Sequence, residues 1–302
     1  MSAPAVVHGD GYFADIGLHV FPMRKFRLVR DEVVRRGVLA DSEILAPERA
    51  TEEQILRVHD RAYVDKLLQG RLSVLEEAIL ELPYSKQLVE ASFLCAGGSI
   101  LAAREALARG VGINIGGGFH HAFPDHGEGF CVFNDIAIAI RALQHEGLIR
   151  RAAVIDLDVH QGNGTAAIFR DDPSVFTFSM HDEQNYPAIK PPSDLDVGLE
   201  TGTSGAEYLA ALERHVPAIL ERHRPHLVAY VAGADPFEQD QLGGLKLTRE
   251  DLRKRDRVVF EASAAREVPV VALLAGGYAA RVEDTVGIHA EMIEGAFQAA
   301  RA

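Results

Sequence analysis

From Val111 onward the chain carries short apolar runs bounded by turn residues: Val111 to Ile115, Ala152 to Leu157, Val175 to Ser179, Leu227 to Ala232 and Val268 to Leu274. Runs of this length without polar alternation predict strands covered on both faces, the habit of parallel sheets. Between them the spacing turns helical, over Asn134 to Glu146, Ala206 to His223, Arg249 to Arg266 and Val282 to Ala300. The alternation predicts an α/β fold with helices on both faces of a central parallel sheet. Residues 24–108 read mainly as helices behind a strand near Val6, and no Gly/Ser linker or low-complexity tract sets them apart. One domain over 1–302 is expected. The stretch from His181 to Gly205, with Pro187, Pro191 and Pro192, predicts the longest irregular loop, at the rim of a pocket.

Parallel strands end on one edge, and ligands collect there. Four of the five runs end in polar or glycine-rich sequence: GGGFHH (116–121), DLDVHQGNG (156–164), AGAD (232–235) and AGGY (275–278). Chemistry is therefore expected along that edge.

Charge narrows the partners. Lys and Arg number 31 against 44 Asp and Glu, a formal charge of −13, which repels phosphate backbones and argues against nucleic acid. A cationic peptide or polyamine suits the same field. The only cysteines, Cys95 and Cys131, form neither a close pair nor a thiolate metal motif, and a reducing cytoplasm is the expected setting. The N-terminal residues lack a signal-peptide pattern and no run of eighteen apolar residues occurs, so neither export nor membrane insertion is expected.

In DLDVH, Asp156, Asp158 and His160 alternate, so an extended backbone would point all three to one side. Burying two carboxylates and an imidazole together is costly unless a cation neutralises them. Carboxylate, imidazole and a third oxygen suit zinc or iron(II), with Asp235 behind Gly233 the choice for the third ligand. Alone, a D-x-H reads equally well as a helix cap beside a loop histidine. His120 and His121 follow Gly116 to Gly118, where imidazoles near a metal can take a proton from water. Hydrogen bonds from His120 to Asp156 and from His121 to Asn163 would fix their tautomers. Tyr278 at another strand end offers a phenol to a carbonyl oxygen as charge develops.

Taken together, GGGFHH, GEGFCVFND (127–135), IDLDVHQGNGT (155–165), GADPFEQDQLGGLKLT (233–248) and AGGY resemble the histone deacetylase superfamily, in order and spacing along nearly the whole chain. HQGNG and the short length look most like class IV enzymes and their bacterial relatives. The resemblance implies an arginase-like three-layer fold and a zinc site at Asp158, His160 and Asp235. It implies a metal-activated water, His121 as general base and acid, His120 as an electrostatic helper paired with Asp156, and Tyr278 polarising the scissile carbonyl. It further implies a tunnel wall at Gly129 and Phe130, and a structural potassium ion at Asp156, Asp158, His160, Ser179 and Met180. Arg27 resembles the arginine beside the family's acetate channel. The implied substrates are acyl-lysine peptides or proteins; acylated polyamines, and a non-catalytic acyl-lysine binding module, are the alternatives. One departure stands out: Asn163 replaces the carboxylate of class I enzymes.

Overall fold

The computed structural model describes residues 2–300. Among the described residues eight strands, β1 (Ala5–Val7), β2 (Ile44–Leu45), β3 (Val111–Asn114), β4 (Ala152–Asp156), β5 (Val175–Asp182), β6 (Leu195–Leu199), β7 (Leu227–Val231) and β8 (Val270–Leu273), form one sheet in the order β2-β1-β3-β8-β7-β4-β5-β6. Every neighbouring pair is parallel. All the carboxyl ends therefore share one edge, as the strand-end motifs require.

Ten helices among the described residues cover the sheet: α1 (Lys25–Arg35), α2 (Glu52–Ile55), α3 (Arg61–Gln69), α4 (Val74–Leu80), α5 (Lys86–Arg109), α6 (Asp135–His145), α7 (Asn163–Phe169), α8 (Gly205–His223), α9 (Arg249–Ala264) and α10 (Val282–Ala299). α5 packs on α6, β1 and β3, while α1, α10, α9 and α8 pack in succession as the other layer. The outcome is the three-layer α/β fold expected from the alternating pattern. Local chemistry starts the long helices where the sequence suggests: Ser204 and Thr248 cap α8 and α9, with Glu207 and Asp251 closing the capping boxes. The inner strands β3, β4, β7 and β8 are buried at every position, which is why they read as unbroken apolar runs.

α5 is the one helix among the described residues long and apolar enough to cross a membrane. Its apolar surface is instead occupied by the sheet and α6: Phe93, Ala96, Ala102, Ala103 and Ala106 are fully buried. Two strands escaped the pattern reading. β6 lies inside the stretch expected to be an irregular loop, and its half-buried, alternating LDVGL pairs only with β5 at the sheet edge. At the opposite edge, β2 has just two residues and pairs with β1.

Candidate active site

β4 stops at Asp156, so the extended geometry expected for DLDVH ends there and the side chains divide into two groups. Asp156 accepts a hydrogen bond from His120 Nδ1 at 2.7 Å and another from the Asp158 amide. Asp158 and His160, in the turn beyond, face Asp235 from the end of the adjacent β7. One donor atom from each of these three residues lies within 4.8 Å of the other two. His160 Nδ1 is 3.0 Å from Asp158 Oδ1 and 3.4 Å from Asp235 Oδ2.

Backbone amides satisfy part of this cluster. The Gly276 amide donates to Asp158 Oδ2 at 2.8 Å, and the Val159 amide to Asp235 Oδ1 at 2.9 Å. Asp235 Oδ2, on a fully buried residue, has no hydrogen-bond partner among the described residues. Burial and the neighbouring Asp158 push the Asp235 carboxyl up to about 7, the mark of two carboxylates crowded into one site. A lone carboxylate oxygen buried beside a second carboxylate is unfavourable by about 3–5 kcal/mol unless a cation answers it. The donors present, one imidazole nitrogen and two carboxylates, fit a divalent ion of the zinc or iron(II) kind. Space is reserved for them by glycine. A Cβ at Gly276 would stand 1.9 Å from Asp235 Oδ2, and one at Gly233 2.4 Å from Asp158 Oδ2.

Beside the cluster, the rings of His120 and His121 lie 4.0 Å apart, centroid to centroid. His121 Nδ1 meets Asn163 Oδ1 at 2.7 Å. The two imidazoles have opposite electrostatics. Burial disfavours charge on His120, but Asp156 and Asp158 outweigh it and raise the ring to about 9. Burial, followed by the nearby His120 and His160, holds His121 well below the usual histidine range. A cationic helper beside a neutral ring is the division of labour that pairs of titrating groups in active sites exploit.

These side chains floor a cavity of about 240 Å³. His121, His160, Tyr278 and Gly129 are its buried members; Gly129, Phe130 and Tyr186 form walls, and exposed Glu81 and Val20 stand at its mouth. Gly129 and Phe130 both have positive φ, 51° and 68°, and their amides donate to the Ile79 and Leu80 carbonyls, which fixes the wall against α4. Ser179 lies opposite Asp156 in the β4–β5 register, with Met180 next to it, both buried; the Ser179 hydroxyl is 2.9 Å from His181 Nδ1.

Sequence reading missed four contributors. Lys25 reaches the site: its Nζ donates to the Ala275 carbonyl at 2.6 Å and lies 5.6 Å from the Tyr278 ring centroid, while Arg27 lines a separate cavity with Tyr12, Met23 and Phe26. α1 begins at Lys25 and buries 25, 26, 29 and 33, a stripe that turns Arg27 outward. Asp240 accepts from the Tyr278 amide at 2.6 Å. Glu128 and Tyr186 stand behind Asn163 and against His121, joined by a 2.8 Å hydrogen bond. Glu128 and Asp240 lie inside the GEGFCVFND and GADPFEQDQLGGLKLT segments without having been singled out there, whereas Lys25 and Tyr186 lie outside every quoted segment.

Residues 19–292 match the histone deacetylase domain family. The chain belongs to that family. Its histone deacetylase relatives include histone deacetylase 2 of Arabidopsis thaliana, 34% identical over 270 residues that cover 86% of this chain and 70% of that one. An uncharacterised protein of a Picosynechococcus species is 42% identical over 289 residues, 96% of either chain. Among solved structures, the HD domain of HDA15 superposes with a TM-score of 0.78 at 21% identity, covering 95% of this chain and 89% of that one, and it supports the fold. Histone deacetylase family members are metal-dependent hydrolases, and the Asp158, His160 and Asp235 cluster has the composition such a metal needs.

Proposed function

We propose that this histone deacetylase family member removes acyl groups from the side-chain amine of acyl-lysine in peptides or proteins. The observation that carries this reading is the pair of buried imidazoles, His120 bonded to Asp156 and His121 to Asn163, beside the Asp158–His160–Asp235 cluster at the floor of an aromatic-walled cavity. Asp158, His160 and Asp235 would hold a zinc or iron(II) ion, which would supply Lewis-acid chemistry to water and carbonyl. His121, bonded through Nδ1 to Asn163, presents Nε2 to the cavity; it takes the proton of the attacking water and returns it to the departing amine. His120, held by Asp156, adds positive charge where the oxyanion develops. Tyr278 stays protonated because burial and the nearby Asp235 and Asp158 raise its phenol, so it can donate a hydrogen bond to the carbonyl oxygen. Gly129 and Phe130, with Tyr186, line the path of the lysine stem. Potassium is proposed as a structural ion at Asp156, Asp158, His160, Ser179 and Met180, on the adjoining ends of β4 and β5.

The acidic surface and Glu81 at the mouth favour a cationic substrate, which an acylated polyamine also is. The test is amine release by zinc- or iron-reconstituted protein from acetyl-lysine and longer acyl-lysine peptides, set beside acetylspermidine. Peptide turnover at least about tenfold above polyamine in kcat/KM supports the lysine reading. The reverse ratio transfers the assignment to polyamines, and acyl-peptide binding without amine release from any donor makes the chain a binding module.

A further inference from the structure

We infer that Glu128 is a positioning residue for His121, acting through Asn163 and selecting the imidazole tautomer that leaves Nε2 free. This rests on the deacylase reading for its catalytic meaning and on geometry for its existence. His121 Nδ1 lies 2.7 Å from Asn163 Oδ1, and Asn163 Nδ2 donates to Glu128 Oε1 at 2.6 Å. The same Glu128 oxygen accepts the Tyr186 hydroxyl at 2.8 Å, and its other oxygen is 3.3 Å from His126 Nε2. Reciprocal backbone hydrogen bonds with Cys131, at 3.1 and 2.8 Å, pin Glu128 in place.

An asparagine amide is ambivalent. Flipped, it would turn its NH2 group toward His121, whose Nδ1 would then have to accept, and the ring proton would move to Nε2, the atom that must act as base. A carboxylate only accepts, so Glu128 takes Nδ2 and forces Oδ1 toward the imidazole. Burial works against charge on Glu128, yet hydrogen bonds from His126, Tyr186 and Asn163 hold its carboxyl below the usual glutamate range. Tyr186, anchored to the same carboxylate, sets its ring edge-on to His121 with centroids 5.0 Å apart. One side chain thus fixes both the tautomer and an adjoining wall of the cavity.

The arrangement also accounts for Asn163. An aspartate at 163 would bring a second carboxylate into hydrogen-bond range of Glu128, and like charges at that separation cannot both remain ionised cheaply. The identities of residues 128 and 163 are therefore coupled. An acceptor at 128 orients Asn163, and an aspartate at 163 is disfavoured while residue 128 is a carboxylate.

The experiment is a double-mutant cycle on metal-loaded enzyme with an acetyl-lysine peptide, following kcat, KM and metal content for wild type, Glu128→Gln, Asn163→Asp and the double variant. Asn163→Asp lowers kcat by about tenfold or more, and Glu128→Gln, which keeps one acceptor oxygen for Asn163, lowers it less, with metal stoichiometry unchanged in both. In the double variant the amide introduced at 128 donates to the carboxylate introduced at 163, and kcat returns to within about threefold of wild type. Effects that simply multiply, or an Asn163→Asp enzyme as active as wild type, overturn the inference while leaving the deacylase reading intact. A protein that turns over no acyl amine sinks that reading instead, and the tautomer is then read by 15N NMR of histidine-labelled protein. His121 protonated on Nδ1 in wild type and in the double variant, and shifted toward Nε2 in Glu128→Lys, whose side chain can only donate to Asn163, supports the chain of contacts; an unchanged tautomer in Glu128→Lys overturns it.

Discussion

Lowering the pH of the metal-free protein from 7 to 4.5 should remove about 2 kcal/mol of stability through one buried ring, His59. His59 is 2% exposed; its Nδ1 is 2.9 Å from the Phe123 carbonyl, and its Nε2 accepts the Asn134 amide at 3.0 Å. Only the neutral ring with its proton on Nδ1 satisfies both contacts, because a proton on Nε2 would point into the Asn134 N–H. Burial accordingly lowers His59 from its ordinary value of 6.5 to about 4. Between those two values the unfolded chain binds a proton that the folded protein refuses, so stability is lost as pH falls through 6.5 and the loss levels off near 4. For one site the difference between pH 7 and pH 4.5 works out to about 2.4 kcal/mol. The assay is urea denaturation across that range, comparing wild type with His59→Gln, which can still donate and accept. Other groups titrate in both proteins, so the informative quantity is the difference in slope, at most about 1.4 kcal/mol per pH unit. Parallel pH profiles for the two proteins would refute the argument.

Three further outcomes follow from the site. Tyr278→Phe lowers kcat by roughly a hundred- to thousandfold without changing metal content, and near wild-type turnover would remove the phenol from the mechanism. Gly276→Ala drives a methyl group into Asp235 Oδ2, 1.9 Å from the Cβ position, so zinc affinity measured by chelator competition falls by more than about a hundredfold. Lys25→Met leaves the Ala275 carbonyl buried without its donor, and urea denaturation should register a loss of about 1–3 kcal/mol together with a reduced kcat, since Ala275 begins the turn that carries Tyr278.

Inner strands were legible because they are buried on both faces and read as continuous apolar runs, whereas β6 alternates over only five residues inside a proline-rich stretch and β2 has just two residues. At the site, the residues that announce themselves lie within a few positions of a strand end: His120, His121, Asp158, His160, Asp235 and Tyr278. Lys25 arrives from α1, 250 positions before the Ala275 it contacts, and Glu128 from a loop between β3 and α6. Contacts of that sequence separation leave no local periodicity. The pairing of Asp156 with His120 was anticipated, but the orientation of Asp156 within DLDVH was not. Its spacing suggested a shared face with Asp158 and His160, but the strand ends under it and hands its carboxylate to His120.

The strand order places β7 beside β4, although β5, β6 and α8 come between them in the chain. Val159 and Asp235, in direct hydrogen-bond contact, are 76 positions apart. No fragment ending before Asp235 contains all three residues of the proposed metal cluster, so during synthesis an ion could not be caged there until the crossover has closed. Metal uptake by the nascent chain would thus report that β7 has docked beside β4, before β8 joins the two parts of the sheet, and a protease cut within α8 that lets the two halves separate should release the ion.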